Sequence, residues 1–205
     1  MSVIQKKQFD YSIKVIVIGN SSVGKTCIVN RYANKKFSPS YITTIGIDFC
    51  VKYIKIDEDM CKLLIWDTAG QEKFRSITMS YFKGVQICLI IYDICDYSSF
   101  ESVKSWIDSV SNVCNKDVQF VIIGNKCDET IKRKVSYSEG KMIAEKYDVP
   151  FFECSAKNNI NIDEMFNTIT KTCLVTMKKK EKSTPIKPSV SLSTRKKKNK
   201  CCIIM

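Results

Sequence analysis

The residues best suited to chemistry form the octet GNSSVGKT at 19–26, directly after the apolar run 13–18. Glycines let such a loop turn back on itself and aim its backbone N–H groups at one point, which suits the oxygens of a polyphosphate. Lys25 is placed to reach the β- and γ-phosphates, Thr26 offers a hydroxyl to Mg²⁺, and a helix beginning near Lys25 adds the positive end of its dipole. The order strand, glycine loop, helix therefore predicts a phosphate-binding loop rather than an accidental match in a turn.

Two polar sequences after later strands indicate which base is bound. The sequence NKCD at 125–128 follows the apolar run 120–124, and open α/β sheets bind ligands at the carboxyl ends of their strands. The carboxylate of Asp128 can accept hydrogen bonds from N1–H and the exocyclic amine of guanine, a pattern that adenine lacks. The sequence SAK at 155–157 can bring backbone N–H groups to the O6 of the same base. Alone, NKCD reads as a polar turn; with the loop 19–26, it favours a guanine nucleotide over the adenine nucleotide of a kinase or ATPase.

A third motif, WDTAGQE at 66–72, also follows a predicted strand. Asp67 matches a carboxylate that orients Mg²⁺ through water, and Gly70 would let the backbone approach the γ-phosphate. An aspartate that ends a strand can also simply begin a turn. This motif therefore indicates a magnesium and γ-phosphate site only in combination with the other two motifs.

The elements that position these motifs are short apolar runs alternating with amphipathic segments, which predict an α/β sheet covered by helices on both faces. Only four residues join the second and third runs, so these two should form an antiparallel hairpin in an otherwise parallel sheet. Ser98 with Glu101, Ser136 with Glu139, and Asn161 with Glu164 predict helix starts. The predicted strands are 13–19, 47–56, 61–67, 86–92, 119–125 and 150–154. The residues predicted to face the core from two helices are Val103, Trp106, Ile107 and Val110, and Ile162, Met165, Phe166 and Ile169.

The composition predicts one domain over residues 1–177 and a flexible basic tail over 178–205. Of the net charge of +12, most lies in 178–200, where ten basic residues accompany one acidic residue. Nucleic-acid binding is therefore a minor alternative that rests on the tail alone. The 11 cysteines are scattered without C-x-x-C pairs and there is no histidine, which argues against zinc and favours reduced thiols over disulfides. We expect neither a secretion signal nor a membrane-spanning helix.

Together the motifs resemble the Ras-like small GTPases, and within them the Rab family, over residues 10–177 and the cysteine terminus. Rab-like sequences beyond the nucleotide motifs are IGIDF at 45–49, KLLIWD at 62–67, QEKFRSI at 71–77, YFKG at 81–84 and YDI at 92–94. No insertion of the Rho type precedes the last helices. The resemblance implies the P-loop NTPase fold, a three-layer α/β/α arrangement of six strands and about five helices. It also implies a GTP-hydrolysing switch in vesicle transport, active with GTP and inactive with GDP, and the switch regions resemble those of secretory and exocytic Rabs.

The same resemblance assigns roles to individual residues. Thr44 would bind Mg²⁺ with its hydroxyl and the γ-phosphate with its N–H, and Phe37 would pack on the guanine ring. Gln71 would orient the attacking water, so Gln71, Lys25 and Thr44 are the expected catalytic residues, and GTP or GDP with Mg²⁺ are the expected ligands. The expected magnesium ligands are Thr26, Thr44 and Asp67. The expected nucleotide contacts are Ser21, Ser22, Val23, Gly24, Lys25, Thr26, Cys27, Phe37, Thr44, Gly70, Asn125, Lys126, Asp128, Ser155, Ala156 and Lys157.

Hydrolysis should be slow without help, because no arginine stands beside Thr44 in the sequence. Arg31 lies early in the first helix and Arg75 follows Gln71. An activating protein that lends an arginine or an equivalent group would accelerate the reaction about 10³- to 10⁵-fold. A GTP-binding scaffold with negligible turnover is the alternative, because serines occupy 21 and 22, where glycine is common in Ras-like loops.

Partners are expected at the switches. Phe49, Trp66 and Tyr81 resemble the aromatic cluster that Rab proteins present to effectors, although Phe49 and Trp66 could equally pack against a neighbouring helix. The resemblance further implies an exchange factor, a GTPase-activating protein and a GDP-dissociation inhibitor or escort protein, all acting on a monomer.

The sequence CCIIM at 201–205 predicts lipidation. Cys202 stands four residues from the end with two aliphatic residues behind it, which fits prenylation, and Cys201 offers a second site. Rab-like tails of this form imply two geranylgeranyl groups, whereas a terminal Met alone favours farnesyl. Two lipids, or one with the basic run 195–198, would hold the protein on the cytosolic face of endomembranes, transport vesicles or the plasma membrane, beside a soluble pool. The basic run also fits a solvated tail or a nuclear signal.

Overall fold

Six strands occupy the runs that the sequence predicts, with ends that differ by two residues or fewer. The computed structural model describes residues 9–38, 44, 46–70, 80–114 and 117–183. The strands are β1 (Tyr11–Ile18), β2 (Ile47–Ile56), β3 (Asp59–Thr68), β4 (Ile87–Asp93), β5 (Gln119–Asn125) and β6 (Phe151–Cys154). Val and Ile dominate their buried positions, as expected for strands covered on both faces.

The strands form one sheet in the order β2-β3-β1-β4-β5-β6. The β2–β3 pair is antiparallel, with Ile47 opposite Thr68 and Ile56 opposite Asp59, and all other pairs are parallel. This confirms the predicted hairpin. Parallel pairing brings the carboxyl ends of β1, β3, β4, β5 and β6 to one edge of the sheet, which is where the three predicted motifs begin.

The described helices are α1 (Lys25–Asn34), α2 (Tyr97–Glu101), α3 (Val103–Ser111), α4 (Tyr137–Lys146) and α5 (Ile162–Ser183), with 3₁₀ turns at Ser80–Phe82 and Thr130–Lys132. Since only Ser102 separates α2 from α3, these five segments act as four helical bodies. The predicted apolar residues of α5 lie in a core on one face of the sheet, with residues of α1. Those of α3 lie in a second core on the other face. The structure is the expected three-layer α/β/α arrangement.

The helix starts are partly as predicted. Ser136 and Glu139 form the expected capping box at α4. At α2 the cap is Asp96 rather than Ser98, because the Asp96 carboxylate accepts the backbone N–H of Ser98 at 3.1 Å. The predicted start was therefore displaced, since an aspartate two residues earlier is an equally good cap.

The last helix continues to Ser183, six residues beyond the expected boundary at 177. Lys178 forms an ion pair with Asp59 in β3, and Lys180 lies 2.8 Å from Asp117. Lysine and glutamate also favour helix, so a change from an apolar to a basic sequence does not by itself end a helix. Within the described residues, no helix is both long enough and apolar enough to cross a membrane.

Candidate functional site

The loop between β1 and α1 has the strained backbone that its glycines predict. Gly19 has a φ of 139°, and a methyl group in place of its hydrogen would lie 2.1 Å from the carbonyl oxygen of Ile91. Gly24 has a φ of 91°, and a methyl group there would lie 2.3 Å from the side-chain nitrogen of Asn125. Ser22 takes a left-handed φ of 65° despite its side chain. Neither glycine can therefore be replaced without moving the neighbouring strand ends.

Lys25 is buried at the mouth of this loop, with 5% of its surface exposed. Its ammonium donates to the carbonyl oxygens of Gly19 at 3.1 Å and Asn20 at 2.8 Å. A methyl group on Gly70 would lie 2.4 Å from both the ammonium and the Asn20 carbonyl oxygen. Only glycine therefore allows the chain after β3 to approach Lys25, and the ammonium is held by dipoles that a phosphate oxygen would complement.

Three oxygen-bearing side chains meet beside Lys25. The Thr26 hydroxyl donates to Asp67 Oδ2 at 2.5 Å and lies 2.8 Å from the hydroxyl of Thr44. The other carboxylate oxygen of Asp67 is buried without a hydrogen-bond partner among the described residues. Burial raises the pKa of Asp67 to about 6, opposed by the Thr26 hydrogen bond and the charge of Lys25. A divalent cation would relieve this cost.

The donor set fits Mg²⁺. Hydroxyl and carboxylate oxygens are the hard ligands that Mg²⁺ takes alongside substrate phosphates. In the part of the chain that the structure describes, no group of three or more His, Cys, Asp or Glu side chains could hold a metal ion. The site therefore has one carboxylate and two hydroxyls, which leaves positions for phosphate oxygens and water.

A second buried carboxylate, that of Asp128, lies just after the end of β5. The side chain of Asp128 is 6% exposed, and its Oδ2 lies 3.6 Å from the ammonium of Lys157. Its Oδ1 is buried and accepts no hydrogen bond from any described residue. A buried carboxylate oxygen without a donor is costly unless a ligand supplies one. The N1–H and exocyclic amine of guanine are donors of the required geometry.

Asn125 joins the phosphate loop to the two base-binding sequences, NKCD and SAK. Its amide nitrogen donates to the carbonyl of Val23 in the loop 19–24, at 2.8 Å, and its amide oxygen accepts from the backbone N–H of Ala156 at 3.4 Å. Lys126 extends along the same loop and donates to the carbonyl of Ser22 at 3.0 Å. The relative positions of the phosphate loop and the two base-binding sequences are therefore fixed by side chains of NKCD itself.

These segments enclose a cavity of about 580 Å³. Of the predicted nucleotide contacts, only Val23 and Ser155 do not line it, and both are buried behind the wall. Ser155 accepts the backbone N–H of Asn158 at 2.9 Å and so shapes the SAK turn from within. The lining residues that sequence reasoning missed are Asn30, Lys36, Ser38 and Glu129. The sequence does contain signals for these four residues, because Asn30 lies one helical turn after Thr26 and the other three are adjacent to predicted nucleotide contacts.

The comparison with known proteins agrees with this geometry. The sequence profile of the Ras family matches residues 14–175. The chain belongs to the Ras family. GTP-binding protein ypt2 of Schizosaccharomyces pombe is 46% identical over 165 residues, 80% of this chain and 82% of that protein. Ras-related protein Rab-8B of Dictyostelium discoideum is 41% identical over 196 residues, 95% of each chain. Ras-related protein SEC4 of Candida albicans is 45% identical over 160 residues, 78% and 76% of the two chains.

These matches confirm the predicted family, and within the Ras family the chain is a Rab protein. It is a small GTPase that binds guanine nucleotide, hydrolyses GTP and regulates vesicle transport. Regulators and effectors in general follow from that identity, as does association with membranes.

Arg31 of this Rab protein lies in the last turn of α1, not early in the helix as expected, and is engaged on the base side of the cavity. Its guanidinium donates to the carbonyls of Ala156 at 2.8 Å and Lys157 at 2.9 Å. It also lies 5.7 Å from the ring centre of Phe37, which lines the cavity as predicted. These contacts hold the SAK turn against α1 and leave Arg31 in a structural role.

The three aromatic residues at the switches do lie together. Ring centres are 4.7 Å apart for Phe49 and Trp66 and 5.1 Å for Trp66 and Tyr81, and Phe49 is 44% exposed. Trp66 and Tyr81 also pack against the core on the α3 side. The cluster therefore combines an exposed edge with ordinary packing. Several predicted functional residues lie outside the described residues: Gln71, Arg75, the basic run 195–198, Cys201 and Cys202.

Proposed function

We propose that the cavity holds GTP or GDP with Mg²⁺ and that GTP is hydrolysed there, by the residues named above. The observation that carries this proposal is a pair of buried carboxylate oxygens that have no donor among the described residues. Asp128 Oδ1 borders the base end of the cavity, and Asp67 Oδ1 lies behind Thr26 and Thr44, which line the phosphate end. A guanine base would satisfy the first carboxylate, and a divalent cation would satisfy the second.

The residues of this chain divide the work of phosphoryl transfer. Lys25 would turn its ammonium from the loop carbonyls toward the β- and γ-phosphate oxygens, and the chain at Gly70 would bring a backbone N–H to the γ-phosphate. Gln71 would orient the attacking water. Mg²⁺ held by Thr26, Thr44 and Asp67 would offset charge on the phosphates. Since Arg31 is committed to the base side, the missing arginine is expected from an activating protein.

The serines at 21 and 22 do not favour the alternative of a GTP-binding scaffold with negligible turnover. Ser21 and Ser22 both line the cavity, and Ser22 adopts the left-handed conformation that a glycine would take. The serines therefore leave the loop closed around the phosphate position, with Lys25 in place.

The finer partners are inferred from Rab identity. An exchange factor would open the site to release GDP, an activating protein would complete it for hydrolysis, and effectors would read the cluster Phe49, Trp66 and Tyr81 when GTP holds the switches. A GDP-dissociation inhibitor or escort protein would shield lipids on Cys201 and Cys202. The similarity to ypt2, Rab-8B and SEC4 supports a secretory or exocytic step on the cytosolic face of a membrane.

Displacement of a fluorescent GDP analogue tests the site. GTP and GDP should displace the analogue at least about 100-fold more tightly than ATP, because a site built to pair with a base donor rejects a base that lacks it. Lys25→Ala should weaken binding of both guanine nucleotides, whereas Lys141→Ala, which removes an exposed lysine of α4, is the matched control. Displacement by ATP at the concentrations that suffice for GTP would overturn the proposal.

A further inference from the structure

The loop 19–24 is fixed from behind by the side chain of Asn20. Its amide oxygen accepts from the indole N–H of Trp106 at 2.8 Å, and its amide nitrogen donates to the hydroxyl of Ser102 at 3.0 Å. Ser102 lies between α2 and α3, Trp106 lies in the first turn of α3, and neither residue lines the cavity. Asn20 does not line the cavity itself.

The partners of Asn20 are themselves immobilised. Trp106 is 4% exposed and belongs to the hydrophobic core between α3 and the sheet. The Ser102 hydroxyl donates to the carbonyl of Ser98 at 2.9 Å, so its oxygen is oriented to accept from the Asn20 amide. The two hydrogen bonds therefore anchor the loop to a rigid part of the fold, since few rotamers remain on either side.

The backbone of the same residue faces the phosphate end of the site. The Asn20 carbonyl accepts from the ammonium of Lys25 at 2.8 Å, and it is one of the two atoms that a methyl group on Gly70 would meet at 2.4 Å. A shift of this carbonyl would move the ammonium and the chain at Gly70 together. Both groups act on the γ-phosphate in the site proposed above, and the inference rests on that site.

We propose that Asn20 is a positioning residue for GTP hydrolysis: anchored by Trp106 and Ser102, it sets the place of the Lys25 ammonium and of the chain at Gly70. Its side chain would not touch the nucleotide, because Asn20 does not line the cavity. Its contribution is to restrict the loop, and a misplacement of reacting groups by about 1 Å is enough to cost about 100-fold in rate.

Single-turnover hydrolysis of preloaded GTP by the full chain tests this proposal, because preloading removes differences in affinity. Asn20→Ala and Trp106→Phe should each lower the rate about tenfold while nucleotide affinity changes less than about threefold. Trp106→Phe keeps an aromatic ring in the core but removes the N–H donor and part of the indole, so its rate is compared at temperatures well below its own melting temperature. It carries the test if Asn20→Ala folds poorly. Ser109→Ala, which removes a half-buried hydroxyl of α3 that donates to the carbonyl of Ser105 one turn earlier, is the matched control.

Two further readouts separate positioning from loss of stability. The double variant Asn20→Ala/Trp106→Phe should be no slower than Asn20→Ala alone, because Asn20→Ala already removes the hydrogen bond that Trp106→Phe removes. Asn20→Asp keeps the acceptor for Trp106 and should retain the rate within about threefold. With Trp66→Phe as background, Trp106 is the remaining emitter of the 2 tryptophans, and Asn20→Ala should shift its emission maximum while the far-UV spectrum stays constant.

Rates of Asn20→Ala and Trp106→Phe equal to wild type would overturn the inference and leave the proposed nucleotide site intact. Multiplicative losses in the double variant would also overturn it, since they would show independent effects. A wild-type chain that fails to bind or hydrolyse GTP would instead overturn the proposed function.

Discussion

Exchange of Asp128 for asparagine should change which purine this Rab protein prefers. The carboxylate is 6% exposed, with Oδ1 unpaired among the described residues and Oδ2 facing Lys157 at 3.6 Å. In the occupied site, its two oxygens would accept from N1–H and from the exocyclic amine of guanine. The Asp128→Asn amide still accepts from N1–H, but its NH₂ group meets the amine of the base donor to donor.

The size of the effect follows from the bonds that are lost. A hydrogen bond to a charged group contributes about 1.5–3 kcal/mol, and both bonds lose the charge while one is lost outright. The lost bond costs about 1.5–3 kcal/mol and the weakened bond about 1–1.5 kcal/mol, so the total of about 2.5–4.5 kcal/mol corresponds to a loss of about 10²- to 10³-fold in GDP affinity. Xanthine carries a carbonyl in place of the exocyclic amine, so the variant should bind XDP more tightly than GDP.

Displacement of a fluorescent nucleotide analogue by GDP and by XDP measures both effects. Asp108→Asn, at an exposed position on α3, is the matched control for removal of one carboxylate and should leave both affinities unchanged. The reasoning would be refuted if Asp128→Asn retained wild-type GDP affinity while keeping its melting temperature. A preference for GDP over XDP in the variant would refute it as well.

Three other changes test the rest of the site. Asp67→Asn should stabilise the nucleotide-free protein at pH 7.5 by up to about 3 kcal/mol and abolish its response to Mg²⁺, because the pKa of about 6 in the folded protein lies above the ordinary value of 3.8 for aspartate. The burial cost exists above pH 6 and is lost as the pH falls from 6 toward 4, so thermal melts of both proteins should converge over that window. Gly70→Ala should lower the rate of single-turnover GTP hydrolysis about 100-fold, since a methyl group would lie 2.4 Å from the Lys25 ammonium. The variant should still bind GDP. Hydrolysis at the wild-type rate would contradict the close packing of Gly70 against Lys25. Joint replacement of Cys201 and Cys202 by serine should release the protein from membranes in cell fractionation, whereas unchanged sedimentation with membranes would disprove the lipid anchor.

The sequence predicts the fold and the motifs that form the nucleotide site, because both depend on local sequence pattern. Apolar runs of strand length place six strands to within two residues, and a four-residue connection settles the hairpin. The motifs at the ends of β1, β3, β5 and β6 converge because parallel strands end at one edge. Glycines 19, 24 and 70 of these motifs each stand where a methyl group would lie between 2.1 and 2.4 Å from a neighbouring atom.

The rest depends on contacts between residues far apart in the sequence. The bonds of Asn20 to Ser102 and Trp106 span 82 and 86 residues, and no local pattern indicates them. Asp96 rather than Ser98 caps α2, because two good capping residues compete within one turn. The end of α5 is set partly by ion pairs with β3 and with Asp117, which the sequence of the helix alone does not contain.

Single-turnover hydrolysis of GTP and ATP by the purified full chain, with and without Mg²⁺, tests the central claim most directly. The structure predicts slow hydrolysis of GTP that requires Mg²⁺, none of ATP under the same conditions, and a further loss in Gln71→Leu. Equal turnover of ATP and GTP, or GTP hydrolysis that persists after chelation of Mg²⁺, would contradict the assignment of Asp128 and Asp67 to the base and the metal.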